Sequence, residues 1–467
     1  MKKIFSLLLT ILINKQIFAQ TENYKAKIDE FQTKYNAGKY DEIFHSFSTE
    51  MKKTLPFEST NEFLKSLKLQ AGKIENKEFI KYEEETYASY KTKFEKAVLS
   101  VNISLNENNQ IDGLFITPYK ESATLEANNI ANVLSRYPKE IAQIVYSKAK
   151  DFPNSTQLSI AVIKNRKTNY YGIIKENDSI KPIENQRKVF EIGSITKVFT
   201  STVLASLVED KKINLADHVD SYYHFKFKEN TNISFESLAN HTSGLPRLPE
   251  NLDLSNESNP YQDYGKKELE NYLKNSLTLE NKPSKSYAYS NLGAGLLGYT
   301  LGLSQKTSFQ ELLKKKIFDK YKMMNSFTNS QNLGGKLIKG LDINGEIIPN
   351  WDFDVLFGGG GILSTTEDLA KFAAAQFNSK NKELALTRRP TFDISEKMKI
   401  GLGWHILKSE NGQNIFWHNG GTAGYSSSMT LSTDNKTAVI ILSNVSSFNP
   451  IENIDPMCFE LMQEIKK

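Results

Sequence analysis

One segment of the chain, residues 194–210, constrains the fold more than any other because it is apolar on almost every side. Its apolar side chains at helical spacing are Val198, Phe199, Val203, Leu204, Leu207 and Val208. A surface helix carries a single apolar stripe, so a helix that is apolar all round belongs at the centre of a fold. Residues 189–192 predict the end of a buried strand, and Gly193 permits a sharp turn after it. The pattern therefore predicts a strand, a tight turn and a central helix.

Ser194 lies in the first turn of this predicted helix, and Lys197 follows three residues later. The N–H groups of a first turn have no partner within the helix, so negative charge on the serine oxygen is favoured there. Positions three apart share one helix face, which holds an amine beside the hydroxyl as in an activated nucleophile. The same Ser-x-x-Lys spacing recurs at Ser147 and at Ser379, so the spacing alone proves little. A helix-capping serine beside a solvated lysine is the alternative.

The start of the chain has the three parts of an export signal. Two lysines precede the apolar run Ile4 to Ile13, and the small residue Ala19 ends the segment. The run is too short to span a bilayer comfortably, so we expect residues 1–19 to be removed and the rest to be periplasmic or secreted, with no membrane span. Lys15 lies unusually near the cleavage point, which leaves an uncleaved anchor as the alternative.

Composition excludes several classes of function. The 467 residues exceed one ordinary domain, and with 39% hydrophobic residues they can bury at least one large core. The net charge of +5 falls to +2 without the three lysines of the signal, and no basic run is interleaved with aromatic residues, so nothing favours a nucleic-acid partner. Cys458 is the only cysteine, which excludes an intrachain disulfide and a cysteine-based metal site.

Residues 20–117 have the pattern of a small, separate α+β domain. Apolar residues at helical spacing predict three helices, which end near Gly38, Pro56 and Gly72. Alternating segments predict strands over Phe79 to Tyr90, Ala97 to Leu105 and Ile111 to Ile116. The order resembles small accessory domains that precede exported hydrolases, and we assign this domain no chemistry. Its lone histidine, His45, is expected to be packed or solvated and not a ligand.

A connection over residues 118–139 leads into a second domain, residues 140–467. Prolines surround a predicted helix from Leu125 to Ala149 in this region. Two strands joined by a polar turn at Lys164 to Lys167 then predict the start of an antiparallel sheet. From residue 217 to about residue 350 the pattern changes to helices and polar loops.

Two further groups of polar residues lie downstream of Ser194. Tyr289-Ser290-Asn291 is the only Tyr-x-Asn among 21 tyrosines. A phenol beside a cation can ionise below its usual pKa of about 10 and act as a base, while the nearby amide can bind substrate or lysine. His418-Asn419-Gly420-Gly421 follows strand-like residues and is the only His-x-Gly among six histidines. Its glycine N–H groups can stabilise an oxyanion, although the group taken alone is better explained as a turn.

Taken together and in this order, the three groups resemble the serine acyl-enzyme family that contains class C β-lactamases, DD-peptidases and related esterases. Ser194-Ile195-Thr196-Lys197, Tyr289-Ser290-Asn291 and His418-Asn419-Gly420 match its three motifs. Weaker likenesses occur at Asn240 to Pro246, Gly358 to Asp368 and Gly401 to Trp404. The resemblance covers roughly residues 140 to 467 and implies an α+β fold, with an antiparallel sheet flanked by helices. It also implies an inserted all-helical region and an active site in the groove between the two.

The family mechanism implies a role for each matching residue. The catalytic residues it implies are Ser194 as nucleophile, Lys197 as its activating neighbour and Tyr289 as general base. The substrate-binding residues it implies are Asn291, His418, Gly420 and Gly421. The N–H groups of Ser194 and Gly421 would form the oxyanion hole. Which of Lys197 and Tyr289 accepts the proton stays open, because coupled groups titrate as a pair. The mechanism needs no metal or organic cofactor, and the expected partner is a small-molecule or peptide substrate.

At His418 the chain departs from the β-lactamase motif, which carries lysine there. Histidine is neutral or partly charged near pH 7, so it holds a substrate carboxylate less dependably than an ammonium does. The departure favours an exported esterase or D-residue peptidase, with a β-lactamase as the second hypothesis. A penicillin-binding or sensor protein without turnover is the third. The chain lacks Gly-x-Ser-x-Gly and His-Glu-x-x-His, which argues against an α/β-hydrolase and a zinc protease.

Overall fold

A computed structural model describes residues 22–83, 87–119, 130–256, 258–409, 411–447 and 454–465. The chain divides into two compact units, Met1–Ala127 and Asn128–Lys467. The expected export signal, residues 1–19, lies outside the described residues. None of the helices within the described ranges combines the length and the apolar character needed to cross a membrane.

The first unit consists of helices followed by a four-stranded antiparallel sheet. Its helices are α1 (22–37), α2 (Tyr40–His45), α3 (Thr49–Thr54) and α4 (Phe57–Ala71). Its strands are β1 (Ile74–Glu83), β2 (Tyr87–Phe94), β3 (Val98–Leu105) and β4 (Ile111–Pro118), which pair in that order. Apolar residues of the helices and of one sheet face form a core that includes Phe31, Tyr35, Phe94 and Val101. The predicted α+β class is confirmed.

Two elements of this unit differ from their prediction. The second predicted helix is divided into α2 and α3, because the Ser48 hydroxyl accepts the N–H of Met51 at 3.0 Å and starts a new helix. The predicted strand Phe79 to Tyr90 falls partly in β1 and partly in β2, since the alternating pattern continues through both. His45 is exposed, with its Nδ1 2.6 Å from the Asp41 carbonyl, as expected for a solvated histidine.

The second unit is built on a ten-stranded sheet. The unit's strands are β5 (Ala131–Asn132), β6 (Gln157–Lys164), β7 (Lys167–Glu176), β8 (Ser179–Ile183), β9 (Phe190–Glu191), β10 (Gly340–Leu341), β11 (Ile347–Ile348), β12 (Leu363–Ser364), β13 (Phe392–Asp393), β14 (Met398–Ile400), β15 (His405–Lys408), β16 (Asn414–Gly421), β17 (Ser426–Ser432) and β18 (Thr437–Ser443). The main sheet has the order β13-β14-β15-β16-β17-β18-β6-β7-β8-β5, antiparallel except between β5 and β8. β9 pairs with β12, and β10 with β11, in two small sheets.

Helices cover both faces of the main sheet. They are α5 (Lys139–Ala149), α6 (Thr196–Glu209), α7 (Phe235–Ala239), α8 (Lys266–Asn271), α9 (Asn291–Gln305), α10 (Phe309–Leu313), α11 (Thr366–Ala375), α12 (Lys382–Thr387) and α13 (Ile454–Glu464). On β6, Leu158, Ile160 and Val162 pack with α5 and α13, whereas Ala161 and Ile163 belong to the larger core that contains α6. Side chains on the two faces of β6 therefore belong to two different cores.

The central position predicted for the Ser194 helix is confirmed. Every α6 residue from Thr196 to Leu207 is buried. The strand before it, β9, is short and pairs with β12 instead of joining the main sheet. The helix predicted from Leu125 begins only at Lys139 in the described residues, directly after Pro138, because a proline disfavours the helical conformation in the residue before it. The His418 motif lies inside β16 and not in a turn, because pairing with β17 continues through both glycines.

Replacing Gly358 by alanine should destabilise the second unit, whereas the same change at Gly335 should not. Both glycines lie in 3₁₀ turns, Phe357–Gly359 and Gly334–Lys336. A Cβ on Gly358 would lie 2.6 Å from the carbonyl oxygen of Ala294 on α9, whereas a Cβ on Gly335 would meet nothing within 4 Å. Overpacking costs about 1–3 kcal/mol, and a surface change without such contacts stays within about 0.5 kcal/mol.

Tryptophan fluorescence during urea unfolding measures this difference. The three tryptophans, Trp351, Trp404 and Trp417, all belong to the second unit, so their signal reports on that unit. Equal unfolding midpoints for the two variants would contradict the close packing of the Gly358 turn against α9.

Candidate active site

A tight turn presents Ser194 at the start of the central helix. The 3₁₀ turn Gly193–Ile195 joins β9 to α6, and Gly193 has a φ of 49°, in the region that favours glycine. A Cβ on Gly193 would lie 2.5 Å from the backbone nitrogen of Gly421. The backbone of β16 therefore packs directly on the turn, and the half-buried Ser194 lies between the sheet and α6.

Lys197 is buried next to Ser194, with 2% of its surface exposed. Its Nζ lies 2.9 Å from Ser194 Oγ, 2.8 Å from Asn291 Oδ1 and 2.7 Å from the Gly359 carbonyl oxygen. Burial lowers the pKa of the Lys197 amine well below its ordinary value, and the charge of Arg247 lowers it further. The Asn291 and Gly359 oxygens can only accept, so a neutral amine that donates to both keeps its lone pair for the Ser194 hydroxyl.

Ser290 fixes the start of α9 and so places its two neighbours at the site. Its hydroxyl accepts the N–H of Gly293 at 2.8 Å and donates to the Pro246 carbonyl at 2.7 Å. The Ser290 N–H in turn donates to Nδ1 of His241 at 3.2 Å. His241 is thus a buried structural residue, and Asn291 is held where it reaches Lys197.

Tyr289 lies against the amine but does not have the pKa that its position led us to expect. Its ring centre is 4.8 Å from Lys197 Nζ and 4.4 Å from the His241 ring. Burial raises the pKa of Tyr289 to about 12, although the hydrogen bond with Ser194 and the charge of Arg247 act in the opposite direction. This direction is opposite to the lowered pKa considered for a phenol beside a cation, because desolvation exceeds the combined effect of the Ser194 hydrogen bond and the Arg247 charge.

The third motif packs its glycines against the Ser194 turn. A Cβ on Gly420 would collide with the carbonyl oxygen of Ile192 and would lie 2.7 Å from the Ser194 nitrogen. The Ser427 hydroxyl on β17 donates to the same Ile192 carbonyl at 2.8 Å. Only a strand without side chains at these positions can approach the turn so closely.

The N–H of Gly421 faces away from β17. The neighbouring Thr422 donates its N–H to the Tyr425 carbonyl at 3.0 Å, so Thr422 and Tyr425 form a hydrogen-bonded pair of the hairpin. Hydrogen-bonded and non-hydrogen-bonded pairs alternate along antiparallel strands, so the next pair, Gly421 with Ser426, is a non-hydrogen-bonded one. The backbone N–H groups of Gly421 and Ser194 therefore belong to two segments in direct contact, as an oxyanion hole requires.

His418 offers the site a neutral ring. It is 1% exposed, and its Nδ1 lies 2.5 Å from the Asn419 carbonyl, to which it must donate. Burial lowers the pKa of His418 well below its ordinary value, so Nε2 is an acceptor. Within the described ranges Nε2 is buried without a hydrogen-bond partner. Nor do the described residues place three His, Cys, Asp or Glu side chains together as ligands of a metal ion.

An aromatic wall completes the pocket, and the sequence analysis did not single it out. The Tyr261 ring stacks on Phe353 with centres 4.6 Å apart and meets Trp351 edge to face at 5.3 Å. These three residues line one pocket with Ser194 and Asn291. The only signal was the pair Trp351 and Phe353 shortly before the glycine run at 358–361, and nothing in the sequence pointed to Tyr261.

Glu191 was also missed, and it connects the aromatic wall to the strand before Ser194. Its side chain is buried, and Oε1 accepts from Asn350 Nδ2 at 2.7 Å and from the Trp351 N–H at 2.9 Å. Burial raises the pKa of Glu191 to about 7, against the opposite effect of these hydrogen bonds. A charged residue two positions before Gly193 was hidden by the apolar residues on either side of it.

Comparison with protein families matches the two parts of the chain separately. The Beta-lactamase family model matches residues 150–457. The family described as Protein of unknown function (DUF3887) matches residues 29–114. The first match contains all three motifs, and the second falls within the N-terminal unit.

Individual proteins give the same result. Protein flp of Staphylococcus aureus (strain MRSA252) is 24% identical over 307 residues, which cover 62% of this chain and 59% of that protein. Beta-lactamase-like protein 4 of Dictyostelium discoideum is 29% identical over 323 residues, which cover 61% of this chain and 55% of that protein. The chain thus spans less than two thirds of these curated relatives. The crystal structure of a Beta-Lactamase/D-Alanine Carboxypeptidase from Pseudomonas syringae aligns with a TM-score of 0.58 and 18% identity, over 69% of this chain and 98% of that one, which shows a shared fold.

The stability that Glu191 contributes should depend on pH. Its folded pKa of about 7 exceeds the ordinary value of 4.5, so between these values the folded chain retains a proton that the unfolded chain releases. The contribution is therefore complete below pH 4.5 and declines as the pH rises to about 7. The measurement is the free energy of unfolding of wild type minus that of Glu191→Gln across this range, from urea titrations followed by tryptophan fluorescence. Glu184→Gln, at an exposed glutamate of the same unit, is the control. If the difference in unfolding free energy between wild type and Glu191→Gln stayed constant or rose with pH, Glu191 would not be a buried carboxyl that retains its proton.

Proposed function

The chain belongs to the Beta-lactamase family, and on that premise we propose that it is a serine hydrolase acting through a covalent acyl-serine intermediate on Ser194. The observation that carries the proposal is the 2.9 Å contact between the Ser194 hydroxyl and the buried amine of Lys197. A hydroxyl beside a neutral amine is an activated nucleophile for esters and amides.

We assign the first proton transfer to Lys197. The Ser194 proton moves to Nζ while Oγ bonds to the substrate carbonyl carbon, and the resulting oxyanion accepts the N–H groups of Ser194 and Gly421. The bond to the leaving group then breaks, and the leaving group takes the proton from Nζ. Water repeats the sequence: its proton goes to Lys197, its oxygen attacks the acyl carbon, and Ser194 is released with the proton.

Tyr289 is assigned a different part from the general base that the family resemblance implied. A phenol whose pKa is about 12 stays protonated at neutral pH, so it can donate a hydrogen bond but does not supply a base. Its hydrogen bond with Ser194 orients the nucleophile and stabilises charge on the serine oxygen. Asn291 and the Gly359 carbonyl orient Nζ.

The substrate class we propose is that of an esterase or a D-residue peptidase. His418 presents a neutral acceptor in the place where β-lactamases carry lysine, and the aromatic wall supplies an apolar surface for an acyl group. A β-lactamase with the same mechanism is the second candidate. A penicillin-binding sensor is the third, and steady-state turnover of an activated ester distinguishes it from an enzyme.

The domain limits and the location are part of the proposal. Residues 1–19 would act as the export signal, residues 20–117 as an accessory domain and residues 118–139 as a connection. Residues 140–467 would be the hydrolase domain, exported to the periplasm or secreted. The charged, apolar and small-residue parts of the first segment support export.

A fluorophosphonate should label Ser194 and no other serine. Peptide mapping of the labelled protein gives the position, and Ser194→Ala should abolish both labelling and ester turnover. Ser147→Ala is the matched control, because Ser147 has the same spacing to a lysine but lies exposed on α5 with its hydroxyl donated to Ile144. Turnover that persists in Ser194→Ala would eliminate the acyl-serine mechanism.

The pH dependence of kcat/KM for a neutral ester should identify the base. A base is active in its deprotonated form, so the rate rises with pH and becomes constant above the pKa of the group. For Lys197 this plateau should begin well below 10.5, the ordinary lysine pKa, whereas a Tyr289 base would extend the rise to about pH 12. Lys197→Ala should lower the plateau roughly 10²–10⁴-fold. Tyr289→Phe should lower kcat/KM at every pH but leave unchanged the pH at which the plateau begins. A wild-type rate that keeps rising towards pH 12 would contradict the assignment of Lys197 as the base.

A further inference from the structure

Arg247 combines a fixed backbone with a free side chain at the edge of the site. Its carbonyl accepts the N–H groups of Asn291 and Leu292 at 3.0 and 3.1 Å, so the residue is tied to the start of α9. The preceding residue, Pro246, accepts the Ser290 hydroxyl at 2.7 Å. The side chain of Arg247 itself is exposed. Its position relative to the second motif is therefore set by the backbone, while its guanidinium stays available to a ligand.

The guanidinium lies close to the reacting groups. Its central carbon is 5.4 Å from the ring centre of Tyr289. Its charge contributes to the lowered pKa of Lys197 and opposes the raised pKa values of Tyr289 and Tyr261. Since Tyr261 belongs to the aromatic wall, the positive charge of Arg247 acts on the wall as well as on Lys197 and Tyr289.

Arg247 has no acidic partner in the described part of the chain. Arg136 pairs with Glu184 and Arg187 with Glu367, whereas none of the ion pairs among the described residues includes Arg247. An exposed guanidinium needs no partner, but one held over a catalytic tyrosine presents five donors in a planar fork that matches a carboxylate.

Among the described residues of the site, neither His418 nor Lys197 provides a permanent positive charge for a substrate anion. His418, which occupies the position of the family's lysine, is neutral and buried. Lys197 is buried, and its pKa is lowered well below the ordinary value. A negatively charged substrate group therefore meets positive charge at Arg247 and not at the third motif.

We propose that Arg247 is a specificity-determining residue that binds a free carboxylate of the substrate, so that the site prefers anionic esters and amides over neutral ones. The proposal rests on the proposed acyl-serine function and names its substrate class. A bidentate guanidinium–carboxylate contact is strong for a hydrogen-bonded pair, and its loss lowers kcat/KM roughly tenfold to a hundredfold. The effect weakens as salt increases, because the guanidinium is exposed.

The test compares three esters that share one leaving group and carry a carboxylate, no charge or a quaternary ammonium. In Arg247→Gln the ratio of kcat/KM for the carboxylate ester to that for the neutral ester should fall roughly tenfold to a hundredfold. Arg247→Lys should give an intermediate ratio, since it keeps the charge and loses the planar fork. Arg247→Glu should invert the preference towards the ammonium ester. Arg166→Gln, at an exposed arginine in the β6–β7 turn, should leave the wild-type ratio.

A binding measurement separates this inference from the proposed function. Calorimetric titration of Ser194→Ala with the carboxylate and neutral esters gives their Kd ratio without turnover, and adding Arg247→Gln to that protein should reduce the preference for the carboxylate. Failure of wild type to turn over any ester would count against the proposed function alone. If Arg247→Gln left both the kcat/KM ratio and the Kd ratio of the carboxylate ester to the neutral ester unchanged, the inference would be overturned. Tryptophan fluorescence melts confirm that each variant is folded.

Discussion

Desolvation of the Lys197 amine is the interaction on which the rest of the site depends. An unpaired ammonium in a buried position is unfavourable by several kcal/mol, so such a group lowers its pKa and becomes neutral. The fold then needs acceptors for the two remaining N–H bonds, and these come from α9 through Asn291 and from the turn at Gly359. The lone pair of the amine nitrogen is then left to accept the Ser194 hydroxyl. Burial of α6 on every side therefore supports the proposed chemistry as well as the stability of the fold.

Direct backbone contacts hold these groups in register. The Ser194 turn lies against the glycines of β16, and the turn that carries the Gly359 carbonyl lies against α9 at Gly358. In both places a Cβ would meet backbone atoms, which cannot move away as a side chain can. Glycine costs conformational entropy in the unfolded chain, but here it lets three distant segments approach to the distances that a proton transfer requires.

The three motifs could be found in the sequence because each is local, and the layers of the second unit were implied by the family that the motifs resemble. An all-round apolar helix, a turn glycine and a Ser-x-x-Lys spacing are visible within a few residues. The direction of the Tyr289 pKa shift could not be predicted, since it depends on how deeply the fold buries the phenol near the Arg247 guanidinium. Glu191 and Trp351 lie about 160 residues apart, and only the fold makes them partners. Likewise, β16 extends through two glycines because β17 pairs with them, which no strand propensity indicates.

The site separates a desolvated interior, which holds Lys197, from a charged edge at Arg247, and the two are coupled electrostatically. Arg247 is exposed, yet the field of its charge reaches Lys197 and lowers the pKa of that amine. A carboxylate bound to the guanidinium would offset that field. Lys197 would then become more basic when an anionic substrate is in place, and it would take the Ser194 proton more readily than in the free protein. In the proposed mechanism, substrate charge would therefore contribute to activation of the nucleophile as well as to binding, and selectivity would lie in the step that forms the acyl-serine bond.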